Sequence, residues 1–298
     1  EILLRILLAL ALFCGCFYMV DTTLEFKYDD GVTPTRDFYS FPEDSIDVLM
    51  LGSSHLGVNV DTTILCNDYG IGSYKLWGAT QPVWNSYYNL AEALKTQHPK
   101  VVVLEELCLS HDAEYYEYAN AVKNTMGLRW SRNKVEAIFA SYERGDRLNA
   151  FFPLSQYHSR YAELTQADFH GYFWDNPLSE HNTRDWNAVC PMPEPSQTTE
   201  RQPVGEKQMT YLKKILYLCK KNNIPLLVMK APYSAPEAEK ARLNTVNDYL
   251  KEEGIPVLDC LTNFREYGFD YATDFGDTAG HLNSTGCAKL TAILGQYL

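Results

Sequence analysis

Four short, nearly unbroken apolar runs punctuate the chain, at residues 46–51, 101–104, 225–229 and 255–259. Each has the length of a strand. An uninterrupted apolar run fits a parallel strand buried on both faces, whereas a half-exposed strand alternates. Helical spacing fills the intervals. Residues 82–97 carry Leu90, Ala93 and Leu94, and residues 205–221 place Leu212, Ile215, Leu216 and Cys219 on one face before Asn222-Asn223. Residues 236–253 form another such stretch, closed by Gly254 as a C-cap, and residues 284–298 carry Leu290, Ile293 and Leu294. Strands alternating with helices predict an α/β fold with a mostly parallel sheet covered on both faces. In such sheets ligands bind beyond the carboxyl ends of the strands, so the functional residues are expected just after them.

Two regions break the alternation. Residues 6–20 contain no charge, and extending the run back across Arg5 to Ile2 gives nearly the roughly 20 residues that span a bilayer. Arg5 precedes the run, and Asp21 and Glu25 follow it, which predicts a single-pass anchor (residues 1–20) with the bulk of the chain outside the cytoplasm. A cleaved signal peptide and a lipoprotein cysteine at Cys16 are the competing readings, with no A-x-A-like site for the first and a poor lipobox for the second. Residues 21–43, with Asp29-Asp30-Gly31 and Pro34, read as a linker leading to a domain at 44–298. Residues 108–204, with a helix near 131–144 and prolines at 177, 191, 193, 195 and 203, read as an insertion capping the sheet. Tyr157-His158-Ser159-Arg160 within it reads as surface packing before a substrate groove.

Composition removes several functions. The net charge of −12 and the absence of a Lys/Arg block disfavour nucleic acid, whose binding depends on cations that release counterions. Eight scattered cysteines form no CxxC pair, so a zinc knuckle is not expected, and neither a metal nor another cofactor is called for. One or two disulfides remain compatible with an extracytoplasmic chain.

The chemistry points elsewhere. Gly52-Ser53-Ser54 directly follows the first strand, where glycine permits a sharp bend and a serine at a helix start has free N–H groups beside it. Asp277-Thr278-Ala279-Gly280-His281 lies in a loop before the last helix and supplies a base with an orienting carboxylate. Ser54, His281 and Asp277 are therefore the candidate nucleophile, base and acid.

These blocks resemble the SGNH/GDSL hydrolase superfamily, with Ser53 replacing the usual aspartate of Gly-Asp-Ser and one residue more than usual between Asp277 and His281. Asp274 is the alternative acid. Leu51-Gly52-Ser53-Ser54-His55, Gln81-Pro82, Lys230-Ala231-Pro232-Tyr233 and His281-Leu282-Asn283 are similar to a bacterial membrane-anchored subgroup that includes D-alanyl transfer and polysaccharide O-acetyltransferase proteins. The resemblance implies a flavodoxin-like three-layer sandwich. It also implies acyl-ester chemistry on an exported or cell-wall glycopolymer, by hydrolysis or O-acyl transfer, with a membrane-bound O-acyltransferase as a possible partner. The oxyanion donors it implies are the Ser54 N–H, the Gly78 N–H and an Asn side chain. The Asn is missing, since Glu105-Glu106 follows the second strand; Gln81 and Asn85 are candidate replacements. His55, Glu105 and Lys230 are candidate substrate-binding residues. A catalytically decayed protein that binds a glycan or a membrane complex is the alternative.

Overall fold

The computed structural model describes residues 1–25, 30–152, 154, 157–169 and 186–298. Asp29 and Pro177, named above, lie outside them. Helix α1 (Ile2–Leu24) is a single 23-residue helix, about 35 Å long at 1.5 Å per residue, and Leu24 is its one buried residue. It is long and apolar enough to cross a membrane.

The stretch expected as a linker is more ordered than that reading. Residues 21–24 continue α1, and α2 (Val32–Phe38) is packed into the domain with Val32, Thr33, Pro34, Thr35, Asp37 and Phe38 buried. Gly31 allows the entry: its φ is +85°, and a Cβ there would meet the Lys123 carbonyl oxygen at 2.5 Å. The Tyr74 hydroxyl then ties α2 to the sheet through the Pro34 carbonyl at 2.8 Å.

The sheet has five parallel strands: β1 (Val48–Gly52), β2 (Ser73–Trp77), β3 (Val101–Glu105), β4 (Leu226–Lys230) and β5 (Val257–Asp259), in the order β2-β1-β3-β4-β5. Four correspond to the apolar runs, and β2 adds the fifth. Successive side chains point to opposite faces. Leu49, Leu51, Val102, Leu104, Leu226 and Val228 pack on α5 (Val83–Ala93), α10 (Glu206–Lys221) and α11 (Glu237–Glu252). Val48, Met50, Val103, Leu227, Met229 and Leu258 pack on α4 (Thr62–Tyr69) and α12 (Ser284–Tyr297). The result is a three-layer sandwich with the flavodoxin-like strand order.

The expected insertion divides in two. Its first part holds α6 (Tyr118–Thr125), α7 (Arg132–Ser141), α8 (Arg147–Phe151) and α9 (Gln166–Phe169). Here Ala121, Val122, Met126, Ile138, Tyr142 and Ala150 form a separate small core that also takes in Leu24 and Val32. Residues 186–204 instead run as an extended strap. Its amides bond to the carbonyls of Phe275 (from Cys190, 2.8 Å), Tyr271 (from Met192, 2.8 Å) and Ala235 (from Ser196, 2.9 Å). All eight cysteines are free thiols; Cys108, Cys219 and Cys260 serve as small core residues.

Because β1 leads to β2 on one side and to β3 on the other, the chain direction reverses between the carboxyl ends of β1 and β3. That crevice is where such sheets place their ligands. Ser53 and Ser54 follow β1 there, and Glu105 ends β3 beside them.

Candidate active site

The turn after β1 is set by its neighbours. A Cβ at Gly52 would meet the Glu105 Cβ at 2.6 Å, so only glycine lets β3 approach so closely. Glu105 is 1% exposed. Its Oε2 accepts from the Ser53 N–H (3.1 Å) and from the Ser53 hydroxyl (2.8 Å), while Oε1 accepts from the Leu107 N–H (2.7 Å). Ser53 in turn caps the four-residue helix α3 (Ser54–Gly57), its Oγ accepting from the His55 N–H at 3.2 Å. Ser54 is the first residue of that helix, and its N–H makes no hydrogen bond within the described residues. Burial pushes the Glu105 carboxyl up, and the hydrogen bonds from Leu107 and Ser53 offset this only in part.

Lys75 secures the other end of the turn. It is 1% exposed in the middle of β2 and donates to the carbonyls of Gly57 (2.7 Å) and Val60 (2.5 Å). Burial lowers its ammonium to about 8. The only signal for it in the sequence is a lysine inside an otherwise apolar segment, which also hides β2.

The base arrives on a loop closed by an antiparallel bridge between Phe275 and Leu282, with the Gly276 N–H donating to the His281 carbonyl at 2.9 Å. Asn59 fixes the loop from α3's side by accepting the Leu282 N–H at 2.9 Å. His281 Nε2 lies 2.8 Å from Ser54 Oγ, and His281 Nδ1 lies 2.7 Å from Asp277 Oδ2. The other Asp277 oxygen accepts the N–H groups of Ala279 (3.0 Å) and His281 (3.1 Å). Partial burial raises the Asp277 carboxyl, but the bonds from the His281 ring and from both amides outweigh it, and the net shift is downward. The acid is thus held ionised beside the ring. The loop from Asp277 to His281 turns at Gly280, whose φ is +82°, a region that favours glycine.

The alternative acid is occupied elsewhere. Asp274 is buried, pairs with Lys289 at 2.7 Å and accepts the Asp270 N–H at 2.8 Å. Ser54, His281 and Asp277 are brought into one line, whereas the remaining sequence candidates behave differently.

His55 is buried, with Nε2 3.2 Å from the Ala279 carbonyl oxygen, which assigns the ring proton to Nε2. Its ring meets those of Tyr233 (centroids 5.2 Å apart) and His281 (5.3 Å) edge-on. Burial, with the nearby His281, lowers its pKa to about 4. It is a neutral prop under the base-bearing loop and does not reach outward as a substrate-binding residue would. Glu105 likewise faces Ser53 and not a ligand, because a buried carboxylate needs all its acceptors filled. Lys230 is 1% exposed and lies 3.1 Å from Glu106 and 3.4 Å from Asp259. A substrate anion cannot reach it.

The oxyanion expectations also change. Gln81 is fully buried; its Nε2 donates to the Leu76 carbonyl (3.2 Å) and Ser86 (3.0 Å), and its Oε1 accepts from Asn89 (3.2 Å). Asn85 donates to the Asn124 carbonyl at 2.9 Å and accepts from Ser141 at 3.1 Å. Gln81 lies just before α5 and Asn85 in its first turn, and both amides are turned into the packing. The Gly78 N–H faces the Gly52 carbonyl at 3.4 Å, a long hydrogen bond. A Cβ on Gly78 would meet Asn124 Oδ1 at 2.3 Å, and Asn124 Nδ2 donates to the Ala79 carbonyl at 3.0 Å. The 78–80 loop is therefore held by the inserted α6. Of the groups named from sequence, the Ser54 N–H is the one free donor next to the nucleophile.

No family model matches the chain, and none of the curated proteins matches it. Solved structures with a similar chain path include a GDSL-like lipase from Bacteroides thetaiotaomicron, 9% identical, covering 90% of this chain and 98% of that one at a TM-score of 0.45. A protein from Lactobacillus plantarum is 11% identical over 86% of this chain and 97% of that one, with a TM-score of 0.43. An acetyl xylan esterase from Butyrivibrio proteoclasticus is 11% identical over 87% of this chain and 64% of that one, with a TM-score of 0.39. At such distances the chemistry rests on this chain's own residues, and foremost on the line from Asp277 through His281 to Ser54.

Proposed function

We propose that the chain is a serine ester hydrolase or O-acyltransferase that works through an acyl-enzyme on Ser54. The observation that carries this reading is the unbroken hydrogen-bonded line Ser54 Oγ–His281 Nε2 and His281 Nδ1–Asp277 Oδ2, at 2.8 and 2.7 Å. Ser54 Oγ attacks the ester carbonyl as its proton passes to His281 Nε2. The developing oxyanion meets the Ser54 N–H at the start of α3. Collapse breaks the bond to the alcohol, and His281 returns the proton to the leaving oxygen. Attack by water on the acyl-enzyme completes hydrolysis; attack by a sugar hydroxyl completes transfer. Asp277 keeps the imidazole in the tautomer that accepts from serine.

The finer reading is an extracytoplasmic enzyme, anchored by α1, that acts on acyl esters of a cell-wall or exported polysaccharide. The apolar α1 and its flanking charges support the location. A membrane-bound O-acyltransferase as donor partner fits the transferase form of this reading.

The test is pre-steady-state turnover of p-nitrophenyl acetate by the full chain in detergent. A burst of one nitrophenolate per enzyme is expected, lost in S54A; an unchanged burst in S54A overturns the nucleophile. Acceleration of the second phase by an oligosaccharide acceptor, with acetylated sugar as product, selects transfer over hydrolysis. The side-chain oxyanion donor missing at Glu105 favours one rival, a decayed site that binds glycan without turning it over. Failure of a fluorophosphonate to label Ser54, together with glycan binding, decides for that rival.

A further inference from the structure

Beyond α1, nine large apolar side chains are exposed among the described residues, and six of them fall between residues 130 and 169: Trp130, Phe139, Leu148, Phe152, Tyr161 and Phe169. Such clustering on one insertion is unlike the scattered exposure of single apolar residues on ordinary surfaces. Trp130 (57% exposed) and Phe139 (50%) both pack on Phe151, at centroid distances of 6.0 and 6.2 Å, and Leu148 (69%) stands on the same short helix, α8. These rings belong to one patch.

The charge of this segment runs against that of the chain. Residues 123–160 hold seven Lys or Arg against three Asp or Glu, in a protein of net charge −12. Arg129, Arg132 and Arg144 are exposed. Exposed aromatics interleaved with arginines are the composition of surfaces that sit at the headgroup level of a bilayer.

The insertion is also fastened to the outer end of α1. The Leu154 N–H donates to Asp21 at 2.7 Å. Arg160 donates to the carbonyls of Leu24 (2.6 Å) and Glu25 (2.9 Å), and Leu24 lies in the same small core that Phe151 packs against. The patch therefore belongs to the part of the domain that grips the first polar turns after the apolar helix.

We propose that the surface of residues 129–152 rests on the anionic lipid face of the bilayer that α1 enters, with Trp130, Phe139 and Leu148 in the headgroup–acyl boundary and Arg129, Arg132 and Arg144 on lipid phosphates. This inference rests on the reading of α1 as an anchor. It adds a second attachment, which fixes the orientation of the domain where α1 alone would leave it to swivel.

The test uses the full chain reconstituted into vesicles of phosphatidylglycerol and phosphatidylcholine with brominated acyl chains, which quench tryptophan on contact. Helix α1 contains no tryptophan, so anchoring by itself gives no signal. Trp130 is one of five tryptophans in the chain. Wild type is expected to lose roughly a fifth of its emission and W130F next to none. In the variant R129Q/R132Q/R144Q, or with phosphatidylcholine alone, the Trp130 quenching is expected to fall at least two-fold. Equal quenching of wild type and W130F overturns the proposal, as when a partner protein covers the face instead. A carbonate wash separates the two readings. Protein that resists the wash while Trp130 stays unquenched leaves the anchor standing and removes the docking surface. Protein that washes off removes both.

Discussion

Two clusters of charged side chains stand at the carboxyl edge of the same sheet, and they differ in what lies beyond them. Asp277 and His281 pass their hydrogen bonds outward to a hydroxyl, and their side chains are 31% and 14% exposed. Lys230, Glu106 and Asp259 tie the ends of β3, β4 and β5 to one another, with Lys230 and Glu106 each 1% exposed. Burial pushes Glu106 up to about 7 despite the lysine beside it. For Asp259, burial raises the carboxyl, but Lys230 and the bonds from Thr262 more than reverse it. Charged groups on a loop and at strand ends thus do different work: the loop's line ends on a group that can react, and the strand-end cluster ends on itself.

Separating the clusters by mutation gives opposite signatures. The largest effect is expected for His281→Ala, a loss of about 10⁴-fold or more in kcat with little change in Tm, because the serine loses its base. A loss under ten-fold would mean that the line is not the reactive one. Next comes Asp277→Asn, with about 10⁴-fold lost in kcat and KM nearly unchanged, since the acid acts through the ring and not on the substrate. Lys230→Met reverses the pattern. Breaking a buried ion pair from one side costs about 3–5 kcal/mol of stability, read in urea unfolding, while kcat per folded molecule stays within about three-fold. A fall in kcat comparable to that of Asp277→Asn would erase the distinction between the clusters.

The smallest effect sits between them, at His55. Burial holds its folded pKa at about 4, below the ordinary histidine value of about 6.5. Between these pH values the unfolded chain binds a proton that the folded chain refuses, so stability rises with pH across the window and falls on acidification. The difference amounts to about 3 kcal/mol between pH 6.5 and 4. Glu106 contributes with the opposite sign, gaining its proton in the folded state below about 7, so the comparison must be with His55→Gln, in which that group is retained. The variant is expected to lose less stability on acidification than the wild type; parallel curves would show that the ring is not held neutral by burial.

Much of this was legible because the physics is local. The runs that became β1, β3, β4 and β5 are apolar on both faces, and the amphipathic stretch that became α10 repeats at helical spacing. Strand β2 was not legible, because Lys75 interrupts it, and nothing nearby in the sequence announces that two carbonyls at the end of α3 will receive the ammonium. The nucleophile and base were legible as residue types following strands. The wrong assignments share one cause. Gln81, Asn85, Glu105 and Lys230 were selected by chemistry and position along the chain, but whether a side chain points into the crevice or into the packing depends on partners far away in sequence. The linker reading of residues 21–43 failed likewise, since the burial of α2 depends on Tyr74 and α6.

One distance also bears on how the protein comes into being. Ser54 and His281 are 227 positions apart, and their contact joins the loop after the first strand to the loop before the last helix. A chain made from its amino end presents the serine well before the imidazole. Until α12 docks through Leu290 and Leu294, the hydroxyl has no base and stays inert toward esters. Reactivity is then a property that only the folded molecule has, and an ester meeting a partly folded chain finds a serine like any other.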